Sequence, residues 1–241
     1  PLWAFYVNRG QGIASFGIKN KDNPIMEFYP ANKSYSNVDT KGFRTFLKIE
    51  DDYYEPFRKI NNLTSTKMII STEKLEIIEI NKEYNIKIKI LYYILPKENF
   101  AALVRKVMIK NLDSKAKDIE VLDGMPIIVP YGMDNGALKH VSQTITAWAS
   151  VDNLEENIPF YRLRSTAGDQ AQVNEITAGN YYISVISKDE KEILKPIVDP
   201  RIIFENDKGL HNPIGFINND SIKNKKQITE NQFPSAMSLH K

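Results

Sequence analysis

At 241 residues, 42% of them hydrophobic and 26% charged, the chain is long enough to bury one large core without staples and has the make-up of an ordinary soluble globular protein. Lysine and arginine (32) nearly balance aspartate and glutamate (30), so the formal charge of +2 gives no field that would argue for a nucleic-acid partner. The chain has no cysteine, which rules out disulfides and thiolate metal sites and fits a reducing cytoplasm, and no apolar run approaches the roughly 18 residues of a membrane span.

The chain opens on Trp3, Phe5 and Tyr6, without the basic start and apolar run of a signal peptide. With no initiator methionine, and no obvious closing element at Leu239-His240-Lys241, it reads as an excerpt of a longer protein, or as a processed chain. Asn8-Arg9-Gly10-Gln11-Gly12 follows, where two glycines permit positive φ. Its spacing is not that of a dinucleotide loop. It is either a turn between two strands or a loop whose Arg9 and Gln11 reach a sugar or phosphate. Strands are predicted over 13–18 and 25–29 about a turn at 19–24. Residues 30–41, rich in Asn and Ser, read as a surface loop, and 42–49 as another strand. Residues 68–80 and 83–95 read as a hairpin about Asn81-Lys82. In it Ile86, Ile88 and Ile90 alternate with Lys87 and Lys89, the apolar and wet sides of a half-buried strand.

Residues 100–132 are the stretch around which the rest is organised. Val107 and Ile109 share one face and Lys106, Met108 and Lys110 the other, and Asn111-Leu112-Asp113-Ser114-Lys115 supplies turn residues before an apolar return over 118–129. This predicts a hairpin at the centre of an antiparallel sheet, both arms being too apolar for an edge. A loop over 130–136 and a short helix over about 137–143 come next, with Leu138, Val141, Ile145 and Trp148 at helical spacing. Pairs of strands are predicted at 144–151 with 158–164, and at 172–176 with 181–186 about Ala178-Gly179-Asn180. From 195 to 241 prolines and glycines break the pattern. That segment reads as an irregular strap with short strands at 202–204 and 227–228 and no periodicity over 218–224.

Little in this pattern carries chemistry by itself. His140, His211 and His240 are isolated, and no nucleophile elbow, P-loop or EF-hand loop is present, so neither a metal site nor a catalytic residue is expected here. Glycoside chemistry uses paired carboxylates. Glu155-Glu156 and Asp51-Asp52 are adjacent in sequence and would point opposite ways along a strand. Asp123, beside Gly124 at the end of an apolar strand, either caps the next loop or contacts ligand. Trp3 and Trp148, with Tyr6, Tyr131 and Tyr161, either pack in the core or offer an aromatic face to the C–H face of a sugar ring.

Val104-Arg105-Lys106-Val107 through Lys110-Asn111, then Asp118-Ile119-Glu120-Val121, resemble an R-x-V-x-I-x-N … I-E-V hairpin. That hairpin belongs to the N-terminal β-sandwich of cellobiose-phosphorylase-like proteins, the inverting glycoside phosphorylases. The likeness runs over roughly 92–185. It implies an all-β fold: a large two-sheet antiparallel β-sandwich of the galactose-mutarotase-like supersandwich type, one domain over 1–241 with at most one or two short helices. It further implies a helical linker and an (α/α)6 barrel in the same polypeptide, holding the catalytic acid and the phosphate site. Other implications are an oligosaccharide substrate, inorganic phosphate as co-substrate with no other cofactor, a homodimer, and no nucleic acid or membrane. The candidate substrate-binding residues are Trp3, Arg9, Gln11, Asp123, Tyr131 and Trp148. Two other functions suit the same pattern: a stand-alone carbohydrate-binding module, and a mutarotase-like epimerase working through His140.

Overall fold

Alternation at period two, with β-branched residues on the inner side, makes strands of most of this chain. The computed structural model describes residues 1–58, 61–166, 171–187, 191–218 and 222–241. The first ten strands are β1 (Leu2–Tyr6), β2 (Ile13–Ile18), β3 (Pro24–Met26), β4 (Arg44–Ile49), β5 (Asp52–Tyr54), β6 (Thr64–Ile70), β7 (Lys74–Asn81), β8 (Ile86–Ile94), β9 (Leu103–Asn111) and β10 (Ile119–Met125). Then come β11 (Ala149–Asp152), β12 (Phe160–Leu163), β13 (Asn180–Tyr181), β14 (Val185–Ser187), β15 (Lys191–Ile193), β16 (Pro196–Ile197) and β17 (Ala236–His240). The helices are α1 (Ala31–Lys41), α2 (Asn135–His140), α3 (Ser142–Ile145), α4 (Pro200–Phe204) and α5 (Ile214–Asn218). None of the helices among the described residues is long and apolar enough to cross a membrane.

Two antiparallel sheets carry the core. One has the order β6-β7-β8-β9 and the other β16-β17-β10-β4-β5. Ile86, Ile88 and Ile90 of β8 and Ile77 of β7 share a cluster with Leu47 and Ile49 of β4, and Val107 of β9 and Val121 of β10 pack against it. This face-to-face burial makes the protein an all-β sandwich. The outer side of the five-stranded sheet is covered too: Phe46, Leu122 and Met237 pack with Ile203 and Phe204 of α4 and Phe216 of α5. A strand covered on both sides loses its alternation: in β10 the neighbours Val121 and Leu122 are both apolar, the first packing on the sandwich core and the second under the helices.

The hairpin expected over 100–132 does not form. β9 pairs only with β8, at the edge of the four-stranded sheet, whereas β10 lies between β17 and β4 in the other layer. Val107 and Val121 approach one core from opposite sheets, an arrangement that pairing in a single hairpin would forbid. Residues 112–118 therefore cross from layer to layer. The exposed Lys106 and Lys110 make the edge position of β9 tolerable.

Five α-helices stand among the described residues, more than the one or two expected. The segment 30–41 is α1, not a loop. It buries only Ser34 and Val38, spaced by four, so its polar composition conceals a helix. Residues 202–204 belong to α4, not a strand; Asp199 accepts from the Arg201 N–H at its start and Pro200 sits in its first turn. The stretch from 195 on, expected as an irregular strap, is more ordered than that, since β16 and β17 join the five-stranded sheet, with β17 next to β10. Residues 227–228 are not a strand, 68–80 breaks at Ser71 into β6 and β7, and 172–176 does not pair with 181–186. Instead β13 extends β12, and β14 pairs with β15. The aperiodic stretch expected over 218–224 lies partly outside the described residues. The pairings β2–β3, β7–β8 and β11–β12 are found as expected, and of the two readings of 8–12 the turn between strands is seen, joining β1 to β2.

One acid points into the core. Glu79 of β7 is fully buried, accepts from the Tyr54 hydroxyl, and accepts from the Phe57 N–H at 2.7 Å. Burial pushes its carboxyl pKa up, against the pull of those two donors. The folded state thus holds the Glu79 proton more tightly than the unfolded chain. The resulting penalty is absent below the ordinary value of 4.5 and grows as pH rises past it. Glu79→Gln should accordingly raise the urea midpoint at neutral pH and give no gain in acid below that value. Ile88→Ala, at a fully buried position of β8, should cost about 2–5 kcal/mol in the same unfolding measurement.

Candidate functional site

Gln11 sits in the turn between β1 and β2, where Gly10 and Gly12 both take positive φ (51° and 87°). That turn carries its side chain inward, to 3% exposure. Arg105 of β9 reaches the same place from the opposite sheet. Its Nε donates to Asp123 Oδ2 at 3.1 Å and its Nη2 to Asp123 Oδ1 at 2.8 Å. The guanidinium also donates to the Tyr92 hydroxyl, to Gln11 Oε1 and to Thr45 Oγ1. Thr45 donates to Asp123 Oδ1 at 2.6 Å, and the Tyr92 hydroxyl donates to the Gln11 carbonyl at 2.8 Å. Burial pushes the Tyr92 phenol pKa up, so it stays neutral. The network is nearly closed; only Gln11 Nε2 lacks a partner. Its charges are compensated within the sandwich and its geometry is that of a brace.

A second buried arginine shapes the surface. Arg44 of β4 holds Glu55 in a two-point pair, Nε to Oε1 at 2.7 Å and Nη2 to Oε2 at 2.8 Å. It also donates to the carbonyls of Leu210 and His211, and Arg58 donates to the same His211 carbonyl at 2.6 Å. The loop after α4 is thereby fastened to the sandwich.

Beside that loop, between β3, α1 and α4, opens a cleft of about 550 Å³, within the usual range for small-molecule sites. Its apolar lining includes Met26, Val129, Leu138, Phe204 and Phe233, and its polar lining includes Glu27, Tyr29, Asn37, Lys41, Lys208 and Gln232. Asn37 and Lys41 share one side of α1, four residues apart. The Tyr29 hydroxyl donates to the Glu27 carboxylate and accepts from Lys41 Nζ at 2.7 Å. Lys41 Nζ and Lys139 Nζ stand 5.0 and 5.6 Å from the centroid of the Tyr29 ring, and Lys139 Nζ is held by the Phe28 carbonyl at 3.0 Å. Burial first, and the Glu27 contact second, push the Tyr29 phenol pKa well up, so it remains a neutral donor. An aromatic ring, two carboxamides, three carboxylates (Glu27, Glu205 and Asp207) and three cations (Lys41, Arg201 and Lys208) around an apolar floor offer donors and acceptors to a polyhydroxylated molecule. Each hydroxyl would find a donor or acceptor while the C–H surface meets carbon.

The six residues singled out from sequence are dispersed. Gln11 and Asp123 meet through Arg105, inside the protein. The Trp3 indole N–H is committed to the Asn20 carbonyl at 2.8 Å, and its ring meets Phe28 edge-on. The Arg9 guanidinium lies 5.3 Å from the Tyr35 ring centroid. Tyr131 and Trp148 are more exposed; the first is bridged to Arg162 by backbone and the second ends a single 3-10 turn. His140 is exposed at the end of α2. None of these seven lines the cleft. Lys41 was missed because 30–41 read as a loop, and Glu27 and Tyr29 because 25–29 read as a strand, whereas β3 ends at Met26. The helical spacing of Ser34, Val38 and Lys41 is the signal that would have drawn Lys41 back over Tyr29. Among the described residues no cluster of three or more metal-ligating side chains is found. No protein-family model matches this chain, and no curated protein is similar to it.

Removing one member of the Arg105–Asp123 pair leaves a buried charge unmatched. Asp123→Ala should therefore cost about 3–5 kcal/mol in urea unfolding. The double variant Arg105→Met/Asp123→Leu should lose less than the sum of its two single variants.

Proposed function

We propose that this chain is the β-sandwich part of a carbohydrate-active enzyme of the inverting glycoside phosphorylase type, and that the cleft at Tyr29 receives saccharide. The cleft is the observation that carries this reading: a phenol ring held between a carboxylate and an ammonium, over an apolar floor and within the size range of small-molecule sites. The all-β sandwich agrees with this family, and the sequence likeness around Arg105 and Ile119-Glu120-Val121 points to it, although the two segments lie in different layers and do not pair as a hairpin.

In this reading the chemistry is done by an (α/α)6 barrel of the same polypeptide, in a cytoplasmic homodimer. There a single carboxylic acid protonates the glycosidic oxygen as the leaving sugar departs. Inorganic phosphate attacks the anomeric carbon from the opposite side, which yields a sugar 1-phosphate of inverted configuration. The sandwich supports that site and helps to cover it. The cleft equally favours a second reading, a stand-alone carbohydrate-binding module. A mutarotase-like epimerase through His140 is disfavoured by the place of that residue outside the cleft.

Two measurements separate these readings. The 241-residue chain, given glucose disaccharides and phosphate, should release no sugar phosphate, whereas a version extended past Lys241 should; release by the shorter chain would overturn the enzyme reading, and a silent longer chain would favour the binding module. Calorimetry against a panel of oligosaccharides should show binding that Tyr29→Ala weakens at least tenfold (~1.4 kcal/mol) with the thermal midpoint held. Equal affinity of the two proteins would remove the cleft from the argument.

A further inference from the structure

The outer face of the four-stranded sheet is independent of the cleft and uncovered by any element described. Strand register fixes its contents. Ser65, Ile80, Lys87 and Lys110 form one row across the strands, and Lys67, Ile78, Lys89 and Met108 the next. Ile69, Glu76, Leu91 and Lys106 form the third, and Lys74, Tyr93 and Val104 the fourth. These residues alternate with the inward set of Ile86, Ile88, Ile90 and Tyr92, so they point to solvent. Ile78, Leu91, Tyr93, Val104 and Met108 join none of the core clusters. Ile69 and Ile80 are each 37% exposed.

Two features distinguish this face from an ordinary wet side. Ile80, Ile78, Leu91, Tyr93 and Val104 form an apolar band running diagonally from β7 to β9, where a solvated face would be polar. Six lysines flank the band against one carboxylate, Glu76, which pairs with Lys89 at 2.6 Å. Among the described residues Lys67, Lys74, Lys87, Lys106 and Lys110 have no carboxylate partner. Lys87 and Lys110 stand directly opposite each other across β8 and β9, a like-charge pairing that destabilises a sheet on its own. Acid brought from outside would relieve it.

We propose that this face docks an acidic amphipathic helix of a partner protein. The helix would lay an apolar stripe along the band and set glutamates or aspartates against the lysines on either side. The dimensions agree. The band runs roughly 20 Å, the length of about four helical turns. A free polyanion would use the lysines and leave the band wet, so the apolar residues favour a helix over a nucleic acid or a phosphate.

The test uses a labelled peptide of about 20 residues, with leucines at helical i, i+3, i+4, i+7 spacing and glutamates on the flanks. Fluorescence anisotropy with the 241-residue chain should show binding that weakens as salt rises. Lys87→Glu/Lys106→Glu should weaken it at least tenfold without lowering the thermal midpoint. Leu91→Gln should weaken it too, which guards against a fold defect in the first variant. The proposal is overturned if the wild-type chain ignores the peptide or if both variants bind it unchanged. It is equally overturned if a scrambled peptide of the same composition, polyglutamate or phosphatidylserine vesicles bind as tightly as the helix.

Discussion

An arginine that spans two sheets has to be matched on arrival, because an ion left bare between β-layers costs several kcal/mol. Arg105 leaves β9 in one layer and finds Asp123 on β10 in the other, with Thr45, Gln11 and Tyr92 closing around both. The guanidinium carbon lies 5.2 Å from the centroids of both Phe43 and Tyr92, within the range of a cation–π contact. Much else follows from that contact. It fixes which residues of β9 and β10 confront each other, and it draws the turn carrying Gln11 down onto the end of the sandwich. Chain passing from 111 to 119 has to change layers for it.

Arg44 does for the surface what Arg105 does for the interior. Its side chain is 1% exposed, yet two of its donors go to the carbonyls of Leu210 and His211, in the loop that follows α4. Leu210 also lines the cleft and holds a positive φ of 58°, a conformation that a leucine keeps only when its surroundings impose it. Glu55 supplies the counter-charge, and Phe46 and Phe204 lie by the guanidinium. One wall of the cleft is thus set by a buried cation, while α1 supplies Asn37 and Lys41 on another side. The site is preorganised by charges that never face a ligand.

How much of this was legible in the sequence depends on what each residue had to satisfy. Ile86, Ile88 and Ile90 answer to one constraint, a single buried side, and their alternation gave β8 and its partner β7 directly. β10 answers to two, the sandwich core below and α4 and α5 above, and a doubly buried strand shows apolar residues without showing its neighbours. Its true partners, β4 and β17, are distant in sequence, while β9 is close by, so local reasoning paired the wrong strands. α1 failed for the opposite reason. It buries so little that its composition looked like a loop, and Lys41 vanished with it. Asp123 was noticed, but nothing local to it could announce Arg105 as its partner.

β17 has one more consequence, for the order in which the molecule can assemble. β10 emerges early beside β4, but its other flank accepts Ala236–His240. During synthesis that flank presents bare backbone donors and acceptors while all of the intervening chain is made. Ring closure over so long a span is entropically dear and slow, so the five-stranded layer waits for β17 after β4 and β10 have been made. In the interval it is the part most open to capture by a foreign strand.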